Sequence, residues 1–360
     1  MKEIGDTVQS DEGRVYRRER MKYYMAPMEG LTGYVYRNAY HKNYGGVNRY
    51  FTPFITNKKL NHREINDIMP EHNQGMEVVP QILTNRAEDF LLIVRELQKF
   101  GYDKVNLNLG CPSGTVVAKN RGAGFLALPE ELDIFLDEIF SKCPIDISIK
   151  TRIGKDDPEE WENLLAIYEK YPMEELIIHP RVQKDFYRNT VNMEAFERAA
   201  VSSRHSLCYN GDICTVENYE KIVKSFPKVE KVMIGRGVLK KPWLVQEIRD
   251  ASESPRTNAS QLLGTDADPL EEPATAEKGK PDIRSKERLR AYHDDILHGY
   301  LDVMSGDKNT LFKMKELWVY LGERFTNPEK YLKKMRKSER IKDYEVWVDA
   351  LFREQELIGE

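Results

Sequence analysis

Between Tyr23 and Gly237 the chain repeats one pattern eight times: a short apolar or alternating run, most often followed by a stretch with apolar residues at helical spacing. The spacing predicts strands at residues 23–28, 49–55, 78–83, 105–109, 145–149, 176–181, 207–213 and 231–237. Helices are expected at 34–42, from 85 to 100, from Pro129 through Phe140, to about Tyr171, at 193–201 and after Thr215. Strands that alternate with helices pair in parallel, and eight of them close into a (β/α)8 barrel, a TIM barrel of the α/β class. A doubly wound sheet is the rival. It would need a GxGxxG turn after its first strand, and Ala26-Pro27-Met28-Glu29-Gly30 is not one.

The 360 residues leave room for a second, smaller domain. Residues 1–20 read as a flexible extension, 21–249 as the barrel, 250–285 as an acidic linker or insertion, and 286–360 as a small helical domain. Leu311, Met314, Leu317, Trp318 and Leu321 form one of the expected apolar helix stripes, and Trp318 and Trp347 are expected in the core. A hydrophobic content of 40% with 32% charged residues fits a globular protein, and no apolar run is long enough to cross a membrane. Cys111, Cys143, Cys208 and Cys214 show no CxxC pairing, so neither zinc nor a disulfide framework is expected. Without a signal peptide, the expected location is the cytoplasm. The net charge of −4 does not advertise a nucleic-acid binder, but the region from Lys308 to Lys342 is locally basic. Taken alone, such a run is usually just a solvated face.

The fourth strand ends in Asn106-Leu107-Asn108-Leu109-Gly110-Cys111-Pro112. Val105, Leu107 and Leu109 line one face, and two asparagines line the other, where something must take up their hydrogen bonds. Cys111 lies just past the strand, where barrel enzymes do their chemistry. A lone cysteine is otherwise a small buried hydrophobe. The remaining strand ends carry Pro27 and Met28, Gln81, Lys150 and Arg152, His179 and Arg181, Asn210-Gly211-Asp212, and Gly235-Arg236-Gly237. Lys150 and Arg152 share a side of an extended chain and would repel without an anion beside them. The glycine loops after the seventh and eighth strands suit a phosphate, with an ordinary tight turn as the alternative for Gly-Arg-Gly. His179 alone could be a satisfied core histidine, and Tyr187 an exposed loop tyrosine.

Asn108-Leu109-Gly110-Cys111-Pro112 followed by Gly122-Ala123-Gly124 resembles the signature of the tRNA-dihydrouridine synthase family of the bacterial, FMN-dependent type. Lys150-Thr151-Arg152, His179-Pro180-Arg181, Asn210-Gly211-Asp212 and Ile234-Gly235-Arg236-Gly237 continue the match. The resemblance implies an NADPH- or NADH-dependent oxidoreductase that reduces particular uridines in tRNA to 5,6-dihydrouridine. Hydride would pass from reduced FMN to uracil carbon 6, and a proton from Cys111 to carbon 5. It implies that Pro27, Met28, Gln81, Lys150 and His179 line the flavin, with Lys150 by its pyrimidine edge. Asn210, Gly211, Asp212, Gly235 and Arg236 would hold the ribityl phosphate, and Asn108, Arg152 and Tyr187 would contact the target base. Asn106, adjacent in register, is left open between a site residue and a structural one. The helical tail would grip tRNA, and the protein is expected to act as a monomer without metal or membrane. An FMN barrel acting on a free pyrimidine, and an RNA-binding protein without turnover, are the two other readings.

Overall fold

The computed structural model describes residues 21–253 and 282–358; the expected N-terminal extension and most of the acidic insertion lie outside the described residues. The chain divides into two compact units between Pro242 and Trp243.

The first unit is a parallel barrel. Its strands are β1 (Lys22–Met25), β2 (Arg49–Phe51), β3 (Val78–Val79), β4 (Gln81–Ile82), β5 (Lys104–Leu109), β6 (Asp146–Gly154), β7 (Leu176–Val182), β8 (Leu207–Asn210) and β9 (Lys231–Ile234). They run in the order β3-β2-β1-β9-β8-β7-β6-β5-β4. The strand expected at 78–83 is interrupted at Pro80, which has no N–H to give to a ladder. Its first half pairs with β2 and its second with β5, so the two pieces close one ring of eight positions.

Helices α1 (Tyr34–Asn43), α2 (His62–Ile68), α3 (Ala87–Gln98), α4 (Gly114–Val117), α5 (Pro129–Lys142), α6 (Glu160–Tyr168), α7 (Met193–Ser202), α8 (Val216–Ser225) and α9 (Arg236–Lys240) belong to the same unit. α2 was not expected, because its sequence HREINDI lacks an apolar stripe. Its signal is the capping box instead: the Asn61 side chain accepts from the Glu64 N–H, and the Glu64 carboxylate accepts from the Asn61 N–H. β6 extends well past residue 149 because β7 continues to pair with it, placing Arg152 beside His179.

The barrel interior is layered. At the amino ends of the strands, Glu175 is fully buried among Arg49 (2.8 Å), Lys231 (2.9 Å) and the Tyr24 hydroxyl (3.2 Å). Above this ionic floor sit Tyr24, Ala26, Phe51, Val79, Ile177, Cys208 and Met233, an apolar plug that excludes water. Thr151, one residue out of phase with Lys150 and Arg152, meets the Tyr168 hydroxyl of α6 at 2.9 Å.

The second unit holds α10 (Leu244–Glu253), α11 (Lys286–Val303), α12 (Asp307–Leu321), α13 (Glu329–Lys337) and α14 (Ile341–Glu354). Leu289, Ile296, Met314, Leu317, Trp318, Val348 and Leu351 are buried on the inner faces of α11, α12 and α14. Within that core the Trp318 indole N–H donates to the Tyr344 hydroxyl (2.6 Å). That hydroxyl lies 2.7 Å from His293 Nε2, and His293 Nδ1 lies 2.8 Å from Asp294. Burial keeps His293 below its usual pKa, so the neutral ring accepts at Nε2 and donates at Nδ1. Trp347, expected in the core, is half-buried, with Lys334 over its ring at 5.2 Å.

Candidate active site

Cys111 stands at the exit of β5, and its backbone is held on every side. The Asn108 side-chain oxygen accepts from both Gly110 N–H (3.0 Å) and Cys111 N–H (2.9 Å). The Cys111 carbonyl accepts from Ala123 N–H at 3.1 Å. Its neighbours are tied as well, Gly110 C=O by Arg152 Nε (3.0 Å) and Pro112 C=O by Gln183 Nε2 (2.9 Å). Gly122, at φ +54°, has no room for a side chain: a Cβ there would meet the Cys111 carbonyl at 2.9 Å and its Cβ at 3.0 Å. Burial pushes the thiol above its ordinary pKa, against weaker opposing effects from Lys150 and Arg152. The group is therefore a protonated thiol at neutral pH.

Asn108 ends a ladder of buried amides. Ser148 Oγ donates to the Val105 carbonyl (3.2 Å) and accepts from Asn106 Nδ2 (2.9 Å). Asn106 Oδ1 accepts from Gln81 Nε2 (2.8 Å), and Gln81 Oε1 accepts from Asn108 Nδ2 (2.7 Å). Each amide is turned by the one before it. Both lone-pair directions of the Asn108 oxygen are used, leaving that amide one free N–H donor.

The other side of the rim is cationic. Lys150 makes no hydrogen bond or ion pair among the described residues, and burial together with Arg152 lowers its pKa to about 8. Arg152 is buried and donates to three backbone carbonyls, Gly110 C=O, Val182 C=O (2.9 Å) and Phe186 C=O (2.8 Å), and also hydrogen-bonds the Tyr187 side chain. Arg181, also buried, clamps the Asn189 carbonyl and the Asp212 carboxylate. Arg236 reaches the same carboxylate at 2.6 Å. Arg181 Nη1 lies 3.0 Å from His179 Nε2; since a guanidinium only donates, that nitrogen accepts and the ring proton sits on Nδ1. Burial first, then Arg152, Lys150, Arg181 and Arg236, hold His179 well below its usual pKa and therefore neutral.

Tyr187 is half exposed between these groups, with Arg152 and Arg236 over its ring at 5.3 and 4.9 Å and His179 stacked at 6.0 Å. Asn210 spends its amide on the Met233 carbonyl (2.8 Å) and ties β8 to β9. A Cβ on Gly235 would sit 3.4 Å from Ala26 and 3.7 Å from Met28 Sδ, so the exits of β1 and β9 are neighbours, and partly exposed Pro27 and Met28 stand beside the glycine loop. Met28 is fixed by its own loop, its N–H donating to Thr32 Oγ1 at 2.8 Å. Two groupings therefore emerge from the expected residues: Gln81, Asn108 and Cys111 on one side, and His179, Tyr187, Asp212 and Arg236 on the other. Ser148, Gln183 and the anchoring role of Arg181 had no local signal in the sequence, because their partners come from other strands.

A parallel (β/α)8 barrel with a protonated thiol, oriented amides and surplus positive charge at the carboxyl ends of its strands is built as an enzyme of the barrel class. A model of the dihydrouridine synthase (Dus) family matches residues 24–278. The chain belongs to that family. It is 26% identical over 253 residues to a probable tRNA-dihydrouridine synthase of Staphylococcus epidermidis, covering 67% of this chain and 74% of the relative. To tRNA-dihydrouridine synthase B of Pasteurella multocida it is 24% identical over 235 residues, covering 64% and 70%. Among solved structures, morphinone reductase in complex with tetrahydroNAD aligns with a TM-score of 0.44 at 12% identity, over 66% of this chain and 89% of that one. No described helix is long and apolar enough to cross a membrane, and no cluster of metal-ligating side chains occurs among the described residues.

Proposed function

We propose that the chain reduces uridine in RNA, tRNA foremost, to 5,6-dihydrouridine in the cytoplasm, with FMN as its resident cofactor and NADPH or NADH as the reductant. The observation that carries this reading is Cys111, a thiol kept protonated at the exit of β5, with its own N–H and C=O and the carbonyls of Gly110 and Pro112 all hydrogen-bonded.

The residues at the rim fit an anionic flavin nucleotide. Lys150 is a cation without a partner among the described residues, placed where a negative charge would restore its proton affinity. Bare backbone at Gly211 and Gly235, with Arg236 beside them, suits a phosphate. Pro27, Met28, Gln81, Lys150 and His179 would line the ring, and Asn210, Gly211, Asp212, Gly235 and Arg236 would surround the phosphate. FMN held there and reduced by NADPH or NADH would supply the hydride for uracil carbon 6.

The chain's own residues do the rest. Cys111 gives its proton to carbon 5 as general acid and recovers it from water. Asn108 offers its remaining N–H to a uracil carbonyl. Tyr187 presents its ring to the base, and Arg152 fixes the loops on either side of it and would contact the base through an N–H that those carbonyls leave over. In the helical unit, Lys333, Arg336 and Lys337 on α13 are exposed and without ion pairs among the described residues, whereas Lys313 reaches Glu316 and Arg340 reaches Asp343. The α13 cations are the phosphate contacts of the RNA.

The test is incubation with NADPH and unmodified tRNA, followed by nucleoside mass spectrometry. The expected product is heavier than uridine by two hydrogen atoms. NADPH oxidation without that product would leave a flavin reductase and defeat the reading.

A further inference from the structure

The loop that leaves β7 carries more than the barrel chemistry uses. In Gln183-Lys184-Asp185-Phe186-Tyr187-Arg188-Asn189, two adjacent aromatic rings are exposed, Phe186 by 43% and Tyr187 by 50%. Tyr187 is engaged by His179, Arg152 and Arg236; Phe186 has no ring contact or cation over it among the described residues. An apolar ring left in water is ordinary by itself. Its backbone is not ordinary: Phe186 has φ +50° and ψ −98°, a conformation that a bulky side chain rarely adopts.

That conformation is held firmly. The Arg152 guanidinium donates to the Phe186 and Val182 carbonyls, and the Asp185 carboxylate accepts from the Val182 N–H (3.1 Å) and the Asn189 amide. Phe186 N–H donates to the Gln183 carbonyl at 3.0 Å. The loop is also bolted to the catalytic thiol's loop twice. One guanidinium spans Gly110 C=O and Phe186 C=O, and Gln183 Nε2 reaches Pro112 C=O. Phe186 is thus fixed relative to Cys111 through single side chains. Lys184 and Arg188 flank the rings, exposed and without ion pairs among the described residues. Cations interleaved with rigid, exposed rings are the composition of a surface that takes phosphates and nucleobases together.

We propose that Phe186 is an unstacking wedge: it packs against the nucleobase next to the target uridine and fills the place that uridine leaves, while Lys184 and Arg188 hold the flanking phosphates. This rests on the RNA-reducing reading above. A uridine in folded RNA is stacked, and chemistry on its ring faces requires it to leave the stack. Apolar side chains inserted at a base step are the usual way to hold such an opening. Tyr187, one residue on, would then meet the extruded base while Phe186 meets the one left behind.

Phe186→Ser, loaded with FMN, tests this with an unmodified tRNA transcript. The expected result is a kcat lower by about tenfold or more, the size of one lost base–aromatic stack. The tRNA Kd should change by less than about threefold, because phosphate contacts dominate affinity. Phe186→Trp should restore kcat. A readout without turnover uses Cys111→Ala protein bound to tRNA and a carbodiimide that modifies uridine at N3. One uridine should change reactivity on binding, and adding Phe186→Ser should return it to the free-tRNA pattern. An unchanged kcat in Phe186→Ser, a Kd loss with kcat preserved, failure of Trp to restore, or a carbodiimide pattern indifferent to Phe186 each overturns the wedge. If unaltered protein makes no dihydrouridine in any RNA, the functional reading itself has failed, and the wedge falls with it.

Discussion

The two sides of the barrel rim solve the problem of buried polarity in opposite ways. Around β4, β5 and β6, Ser148, Asn106, Gln81 and Asn108 are neutral, buried, and linked donor to acceptor into the Cys111 loop. Around β6 to β9, Lys150, Arg152, Arg181 and Arg236 gather with Asp212 and Asp185 as the nearby carboxylates. On the neutral side each interior amide has its partner, and burial keeps the Cys111 thiol protonated at neutral pH. The cationic side is short of negative charge, so it is where an anion adds most. One side sets geometry, and the other sets affinity for charge.

Breaking the acid at the end of the neutral side should have the largest effect. Cys111→Ala is expected to lower dihydrouridine formation by about 10²–10⁴-fold, the range for a general acid, while FMN absorbance is retained. Product formation at the unaltered rate would end the acid assignment.

Next comes the RNA grip. Replacing Lys333, Arg336 and Lys337 together with Gln should flatten the plot of log affinity for tRNA against log salt by about 2 to 3 in slope. An unchanged slope would make α13 a solvated face.

Asn106→Leu separates the two sides most directly. It leaves Ser148 without its donor and frees the Gln81 amide to turn, which is expected to cost about 1–3 kcal/mol in denaturant unfolding. FMN affinity should fall only modestly, since Gln81 is one of several groups proposed to line the ring, and the larger defect should appear in kcat at saturating FMN. Loss of FMN with kcat intact would reverse the assignment of geometry to this side.

The smallest expected effect is a pH dependence confined to the cationic side. Lys150, with its pKa lowered to about 8, is charged below that pH and neutral above it. An anionic ligand favours the charged form, so FMN affinity should weaken as pH rises through about 8 and on toward the ligand-shifted value. Lys150→Arg should remove this limb. Cys111 titrates above its ordinary value, so the acid itself is lost only at higher pH. Without ligand the sign is opposite for stability. Lys150 binds fewer protons folded than unfolded between its lowered and ordinary pKa, so its contribution to stability rises over that window.

Much of the frame was legible because it is written in short-range patterns. Alternation at 105–109 marked β5, Thr215 capped α8 as expected, and Gly122 followed Cys111 at the distance the loop requires. The misplacements have local causes too. Pro80 cut one strand in two, and α2 announced itself only through Asn61 and Glu64. The carbonyl partners of Arg152 are supplied by three other segments and had no local signal in the sequence.

The sequence by itself determined the order of strands and helices, the face on which each polar residue lies, and which thiol stands at a strand end, since periodicity and turn residues act over a few positions. Only the tertiary structure decided which way each amide points, which arginines are committed to backbone, and which cation is left for a ligand. Those depend on hydrogen-bond partners that lie on neighbouring strands and loops, tens of residues away in the chain, and come within 3 Å only when the barrel closes.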